Sequence, residues 1–253
     1  MLQQNCANLS MPKTKTESLS VITYNILYGK KLDKIAAWLA AHPTKFDIIC
    51  FQEFPFHKID EFLKVMEPHS LAYTFSPGFT NKKGHYGQLT AYNHKKMKLV
   101  KQEIVDLPHS SFWEEKVFKN KGKRTALFTT FLYKRKKITL INTHLLCLVL
   151  NRTRRKQITK IIEALEKSEN LRPKDPVVLL GDFNYTSLIK QKNFFQFMDQ
   201  FNLQNAYKSP TIGRFFVKHQ VDYVFSRNCN AQDVEIPHIK FSDHYPIQFR
   251  LEV

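Results

Sequence analysis

Apolar and polar positions along the chain repeat with two periods, and each switch between them marks an element. Residues 20–27 alternate and are rich in β-formers, the pattern of a strand. Leu32, Ile35, Ala36 and Leu39 follow at i, i+3, i+4 and i+7, one face of a helix that His42-Pro43 ends. The run FDIICFQ, residues 46–52, predicts a buried strand with Glu53 directly after it. Ile59, Phe62, Leu63 and Met66 then mark a second helix. Residues 71–93 predict two short strands joined by an exposed Gly-rich loop, SPGFTNKKGHYGQ. TALFTTFLY and KITLINTHL predict two further strands, and the basic Lys134–Lys137 between them a solvated hairpin turn.

In the second half, Ile158, Ile161, Ile162 and Leu165 give the buried face of a helix over residues 151–169. The stretch VVLLGDFN, 177–184, is four apolar residues running into Gly, Asp and Asn. It reads as a strand covered on both faces that stops at a polar site. Phe194, Phe197, Met198 and Phe201 share a helical face, residues 214–226 hold a broken strand, and 233–242 read as a loop before a last strand at 245–253. Strands alternate with helices in two similar halves, 20–135 and 136–253, which argues an α/β fold.

Composition narrows this picture. At 253 residues with 43% hydrophobic positions, the chain can bury a large core. We expect one domain over 19–253 behind a mobile tail at 1–18. There is no apolar run of membrane-spanning length and no apolar segment near the N-terminus. The expectation is therefore a cytoplasmic monomer, with signal-independent export as the alternative. Cys6, Cys50, Cys147 and Cys229 have no close pairs and no zinc spacing, so free thiols are expected. A net charge of +17 points to polyanionic partners, nucleic acid first and an anionic membrane or lipid second, against a merely soluble basic surface. The run Leu145–Leu150 beside His144 is read as core, with an exposed patch suited to a membrane or apolar substrate as the alternative.

Polar groups recur where strands end: Asn25 in VITYNIL, Glu53 in IICFQEF, His144 in ITLINTHL, Asp182 and Asn184 in GDFN, Asp222 in QVDYVF, and Asp243-His244 in FSDHYP. In this order, from Val21 to Pro246, they resemble the endonuclease/exonuclease/phosphatase superfamily, the metal-dependent phosphodiesterases related to DNase I. The resemblance implies a four-layer α/β/β/α sandwich, two packed mixed sheets with helices outside. It implies Mg²⁺, with Mn²⁺ as the alternative, held by Glu53 with help from Asn25 and Asp243. Asp182 would orient or deprotonate the attacking water. Asn184 and His144 would donate to the developing phosphorane charge, and Asp222 with His244 would form a dyad.

Substrate contacts are expected from Arg124, which closes the basic stretch 116–124, and from Arg154, which with Gln157 matches an Arg-x-x-Gln spacing of the family. Gln88 departs from the family's Gly-Asn or Glu pattern. It could orient His144, touch the phosphate or have no role. A nuclease acting on DNA or RNA is the first reading. A sphingomyelinase-like or phosphoinositide phosphatase-like enzyme is the alternative, and a non-catalytic binding module the third. HQVDYVF stands where the inositol phosphatases carry Pro-Ala-Trp-Cys-Asp-Arg, which weakens that branch.

Overall fold

The computed structural model describes residues 18–81, 84–110, 116, 123–169, 171–185, 191–214 and 217–253. Among these, two six-stranded sheets form the body. The first contains β1 (Leu19–Asn25), β2 (Ile48–Pro55), β3 (Leu71–Asn81), β4 (Gly84–Asn93), β13 (Asn230–Glu235) and β14 (Ile247–Glu252), in the order β13-β14-β1-β2-β4-β3. The second contains β5 (Lys98–Asp106), β6 (Thr125–Tyr133), β7 (Lys136–His144), β8 (Val177–Asp182), β9 (Gln204–Asn205) and β12 (Asp222–Arg227), in the order β5-β6-β7-β8-β12-β9. A hairpin of β10 (Ile212–Arg214) and β11 (Val217–His219) stands beside them.

Each sheet has one parallel pair at its centre, β1/β2 and β7/β8, with antiparallel neighbours. A parallel pair needs a crossover, and α1 (Leu32–Ala41) and α3 (Asn151–Glu166) supply the two. With α2 (Ile59–Val65) and α4 (Gln191–Asp199) they cover the outer faces. The VVLL run gives the layering directly. Val177 and Leu179 pack with Ile158, Ile161 and Phe194 of the helices, while Val178 and Leu180 face Val21, Ile48 and Phe249 of the other sheet. The architecture is therefore the four-layer sandwich with two mixed sheets inside.

Between the sheets the inward positions change character along each central strand. Leu19 and Val21 give way to Thr23 and Asn25. Ile138 and Leu140 give way to Asn142 and His144, and Val178 and Leu180 to Asp182. The polar half is buried and internally bonded: Gln52 Nε2 donates to Asn142 Oδ1 at 2.8 Å, and Asn142 Nδ2 donates to the Leu89 carbonyl at 3.0 Å. An apolar seam at one end thus becomes a polar one at the carboxyl ends of the parallel strands, where open α/β sheets place ligands.

Several expectations are corrected. The Gly-rich loop is instead two long paired strands, with Phe79 opposite Tyr86 and Thr80 opposite His85. Gly87 makes this pairing possible, since a Cβ there would lie 1.9 Å from the Ser76 carbonyl oxygen. Residues 98–106 form edge strand β5, and β13 at 230–235 takes in the first three residues of the loop expected over 233–242. Strands cross between the two halves: β5 and β6 of the first join the second sheet, and β13 and β14 of the second join the first. Glu53 lies within β2, not after it, because pairing with β4 slips between Phe51 and Phe54 and resumes at Gly87. The hydrophobic run is split, with Leu145, Leu146 and Val149 buried but Leu148 and Leu150 each 61% exposed. Cys50, Cys147 and Cys229 are free thiols. The tail residues 1–17, including Cys6, and Lys119 and Lys121 of the basic stretch lie outside the described residues.

Candidate active site

The polar groups meet because the registers of the two sheets bring them level. His144 pairs with Asp182 across β7/β8, and Asp182 with Asp222 across β8/β12. Asn25 ends β1, opposite Gln52. The β-bulge at Gln52-Glu53 re-aims the next side chain, and Glu53 sits at φ 58°, in the left-handed region. Leu27, Tyr28 and Asn184 also have positive φ, and their amides meet Asn25, Glu53 and Asp182, so four such residues other than glycine gather at the site. Backbone strain of this kind persists where surrounding contacts hold it. Here the contacts are visible: the Tyr28 amide donates to Glu53 Oε2 at 3.1 Å, and the Asn184 amide to Asp182 Oδ1 at 2.8 Å.

Asn25 Nδ2 links the sheets, donating to Asp182 Oδ2 at 2.9 Å and reaching Glu53 Oε1 at 3.4 Å. His144 Nε2 lies 3.5 Å from Asp182 Oδ2 and 3.9 Å from Glu53 Oε1. Asp222 and His244, 22 positions apart in the chain, meet at 2.8 Å between Oδ2 and Nδ1. The other ring nitrogen of His244, Nε2, stands 3.7 Å from Asp182 Oδ2. Asn184 Nδ2 donates to the Leu145 carbonyl at 3.1 Å, tying the loop after β7 to the end of β8. Asp243 is exposed at the rim, its Oδ1 accepting from Ser242 Oγ at 3.2 Å.

Burial governs the charge states. It pushes the carboxyl of Asp182 up to about 7, against the pull of His244, and raises that of Glu53, which Asn25 and His244 oppose. It holds His144 well below the ordinary histidine range, with Arg124 and His244 adding to the effect, so this ring is neutral. Burial would lower His244 as well, but Asp222 and Asp182 outweigh it and raise the ring to about 10. His244 is therefore an imidazolium held through Nδ1, with Nε2–H toward Asp182.

A histidine raised in this way stabilises the fold fully below its unfolded value near 6.5, and the contribution is lost as pH climbs toward 10. In the metal-free protein, ring-nitrogen NMR should give a His244 midpoint near 10. Asp222→Asn should drop that midpoint by two units or more, roughly the effect of losing one close carboxylate. A midpoint unmoved by the substitution would break the dyad.

The three expected substrate contacts lie in different settings. Arg124 is buried at the start of β6, near enough to Glu53 and Asp182 to feel both charges. Arg154 is also buried and braces the 145–150 loop, Nε to the Leu146 carbonyl at 3.0 Å and Nη1 to Asn151 Oδ1 at 2.8 Å. Gln88 lies between the sheets, its Oε1 accepting from Thr125 Oγ1 at 3.0 Å. Sequence reasoning missed the residues that brace the dyad. Thr211 Oγ1 accepts the amides of Val221 and Asp222, both at 3.1 Å, and the Tyr207 hydroxyl donates to the Asp222 carbonyl at 2.6 Å. Both belong to irregular segments whose periodicity carries no mark of the site. Ser242 was in view in FSDHYP but unassigned; its Oγ donates to the Asn25 carbonyl at 2.8 Å and accepts the His244 amide at 3.3 Å.

The profile of the Endonuclease/Exonuclease/phosphatase family matches residues 22–244. No curated protein sequence matches the chain. Among solved structures, the endonuclease/exonuclease/phosphatase from Bacteroides vulgatus superposes with a TM-score of 0.74 at 19% identity, covering 94% of this chain and 99% of the other. The mannosyl-6-phosphatase of Bacteroides thetaiotaomicron gives 0.68 at 17% identity, covering 92% and 99%. D. rerio TDP2 complexed with a single-strand DNA product gives 0.68 at 15% identity, covering 94% and 100%. At these identities the likeness is one of fold.

Proposed function

Because the chain belongs to the endonuclease/exonuclease/phosphatase family, we propose that it is a divalent-metal-dependent phosphodiesterase acting on nucleic acid. The observation that carries the reading is the Asp182–His244–Asp222 arrangement, with His244 Nδ1 2.8 Å from Asp222 and Nε2 3.7 Å from Asp182. Hydrolysis of a phosphodiester requires a water to lose a proton, phosphate charge to be neutralised and a leaving oxygen to be stabilised. Asp182, raised to about 7, has the proton affinity of a base working near neutral pH. The His244 imidazolium offers Nε2–H to a phosphate or leaving oxygen, while Asp222 fixes its orientation. Neutral His144 and the Asn184 amide are donors for charge that develops on the phosphate oxygens.

A divalent cation fits the oxygen side of the cleft. Glu53 is a buried carboxylate whose nearest ring, His144 at 3.9 Å, is neutral, and burial raises its pKa against the pull of Asn25, His244 and Arg124, so a cation bound beside it would relieve an unfavourable charge. Glu53 and Asp243 would supply carboxylate oxygens suited to Mg²⁺ or Mn²⁺, and Asn25, whose Nδ2 is turned to Glu53 and Asp182 while its Oδ1 accepts the Leu27 amide, would help through water. Such a cation, when bound, supplies Lewis-acid neutralisation of phosphate charge. Asp182, Asp222 and His244 also bring donor atoms within 4.8 Å of one another, but the Asp222–His244 hydrogen bond already uses two of them.

The choice of nucleic acid is supported by the net charge of +17. A lipid phosphodiester is the second reading, favoured by Leu148 and Leu150 exposed on the loop that Asn184 ties to the cleft. The test is a panel of duplex and single-stranded DNA, RNA, sphingomyelin and phosphoinositides, each with Mg²⁺ and with chelator. Hydrolysis of an oligonucleotide that stops with chelator is expected. Oligonucleotide affinity of Asp182→Asn protein should fall with salt at a log–log slope of roughly 0.7–0.9 per neutralised phosphate. Tight vesicle binding with no oligonucleotide binding at physiological salt overturns the nuclease reading and promotes the lipid one.

A further inference from the structure

Arg124 is a buried cation with no counter-ion in contact among the described residues. It is only 8% exposed, its hydrogen bonding to the described residues is a single contact from Nη1 to the Lys123 carbonyl at 3.3 Å, and its Nε is buried with no partner. A guanidinium out of water without an anion is unfavourable. Glu53 and Asp182 attract it from a distance, but their oxygens are engaged by Tyr28, Asn25 and Asn184. No carboxylate among the described residues is free to pair with it, and the phosphate of a bound ligand would.

The surroundings of Arg124 say what else that ligand carries. The guanidinium carbon lies 5.1 Å from the centroid of the Phe79 ring, a cation–π contact that fixes the plane of the fork. Phe79 stacks on Tyr86 at 5.3 Å, and both meet Tyr28 edge-on, at 5.6 and 5.4 Å. Tyr28 is 39% exposed, and the same residue gives its amide to Glu53. An aromatic shelf therefore runs from the guanidinium to the carboxylate at the metal side of the cleft. A planar fork suits a phosphate, and an exposed ring one step away suits a base, which stacks on aromatic side chains.

We infer that Arg124 and the Tyr28–Phe79 shelf form a second substrate subsite that takes the nucleotide next to the scissile linkage, its phosphate at Arg124 and its base on Tyr28. This rests on the nuclease reading and adds a specificity device to it. Neither residue type is required for bond cleavage itself. Both discriminate a chain of phosphates bearing bases from an isolated diester.

The test uses metal-loaded protein and thymidine trinucleotide, beside two analogues in which one or the other linkage is a neutral methylphosphonate. Each analogue leaves a single cleavable phosphate with an uncharged neighbour. Wild type should lose about tenfold or more in kcat/KM on one analogue, the scale of a charge-assisted hydrogen bond. Arg124→Gln should cleave that analogue and the fully charged trinucleotide to within about threefold of each other, since the partner of the missing charge is gone. Tyr28→Ala should raise KM roughly five- to hundredfold while Tyr28→Trp recovers it, as a stacking platform requires.

If Arg124→Gln melts, Arg124→Lys, which keeps the charge without the fork, and the exposed Tyr28 variants carry the same comparison. Equal cleavage of all three substrates by wild type overturns the inference alone. So does an Arg124→Gln loss that is the same on charged and neutral neighbours, because the contact is then to the scissile phosphate or to the fold. A wild type that cleaves no oligonucleotide overturns the nuclease reading first, and the subsite with it.

Discussion

Glu53→Gln is expected to keep the fold and lose metal-dependent turnover by at least ~100-fold, the scale of removing one well-placed charge-stabilising group. The side chain keeps its shape, and one oxygen can still accept from the Tyr28 amide, now at 3.1 Å. What disappears is the negative charge that makes this the centre of an oxygen donor set. The accompanying stability measurement separates function from folding. Burial raises the Glu53 carboxyl, so the native charge is itself unfavourable without a cation. The metal-free variant should therefore melt at or above the wild-type temperature. Adding Mg²⁺ should stabilise wild type through linkage and leave the variant unshifted. A variant with near-normal rates at normal Mg²⁺ removes Glu53 from the site.

The second large effect is on folding. Gly181 sits at φ 126°, a conformation closed to side chains, directly before Asp182. A Cβ there would lie 2.0 Å from the Thr143 carbonyl oxygen, its register partner on β7. Gly181→Ala combines backbone strain with a steric clash that only a shift of strand β7 or β8 relieves. We expect a loss of roughly 3–5 kcal/mol, the sum of ordinary strain and overpacking terms, which is a large share of a typical domain's stability. Gly78→Ala is the control: its nearest neighbour would be the Tyr86 carbonyl at 3.3 Å, with no unusual φ. Denaturant melts of both variants check this. Similar midpoints for the two would mean that the strands separate without cost. Because Thr143 and Gly181 precede His144 and Asp182, any shift that rescues folding should also misalign the two site residues.

Much of this was legible in the chain. The i, i+2 inward positions of three central strands turn from two apolar residues to polar ones, and each series ends on a site residue: Asn25, His144, Asp182. Short-range periodicity and the polar ends it delivers belong to local sequence, and the resemblance rested on them. The two strands at 71–93 were found, but the loop expected between them was misread for the converse reason. Glycines that usually mark turns here serve close backbone approach, as Gly87 does against Ser76. That distinction depends on a partner strand that the local sequence does not contain.

The strand and helix faces, the basic charge and the order of the polar groups follow from residue type and spacing along one chain. How they combine is a matter of packing between segments far apart in that chain. Antiparallel pairing across an intervening helix and hairpin brings β12 beside β8, which places Asp222 level with Asp182. The loop before β14 then brings His244 to both. Register between strands distant in sequence is set by packing on two faces at once. The same holds for charge: one histidine in the cleft is kept neutral and another made a cation, from side chains of one chemical kind, by burial and by which carboxylates each one meets. Burial and neighbours are properties of the assembled sheets, and no single stretch of sequence holds them.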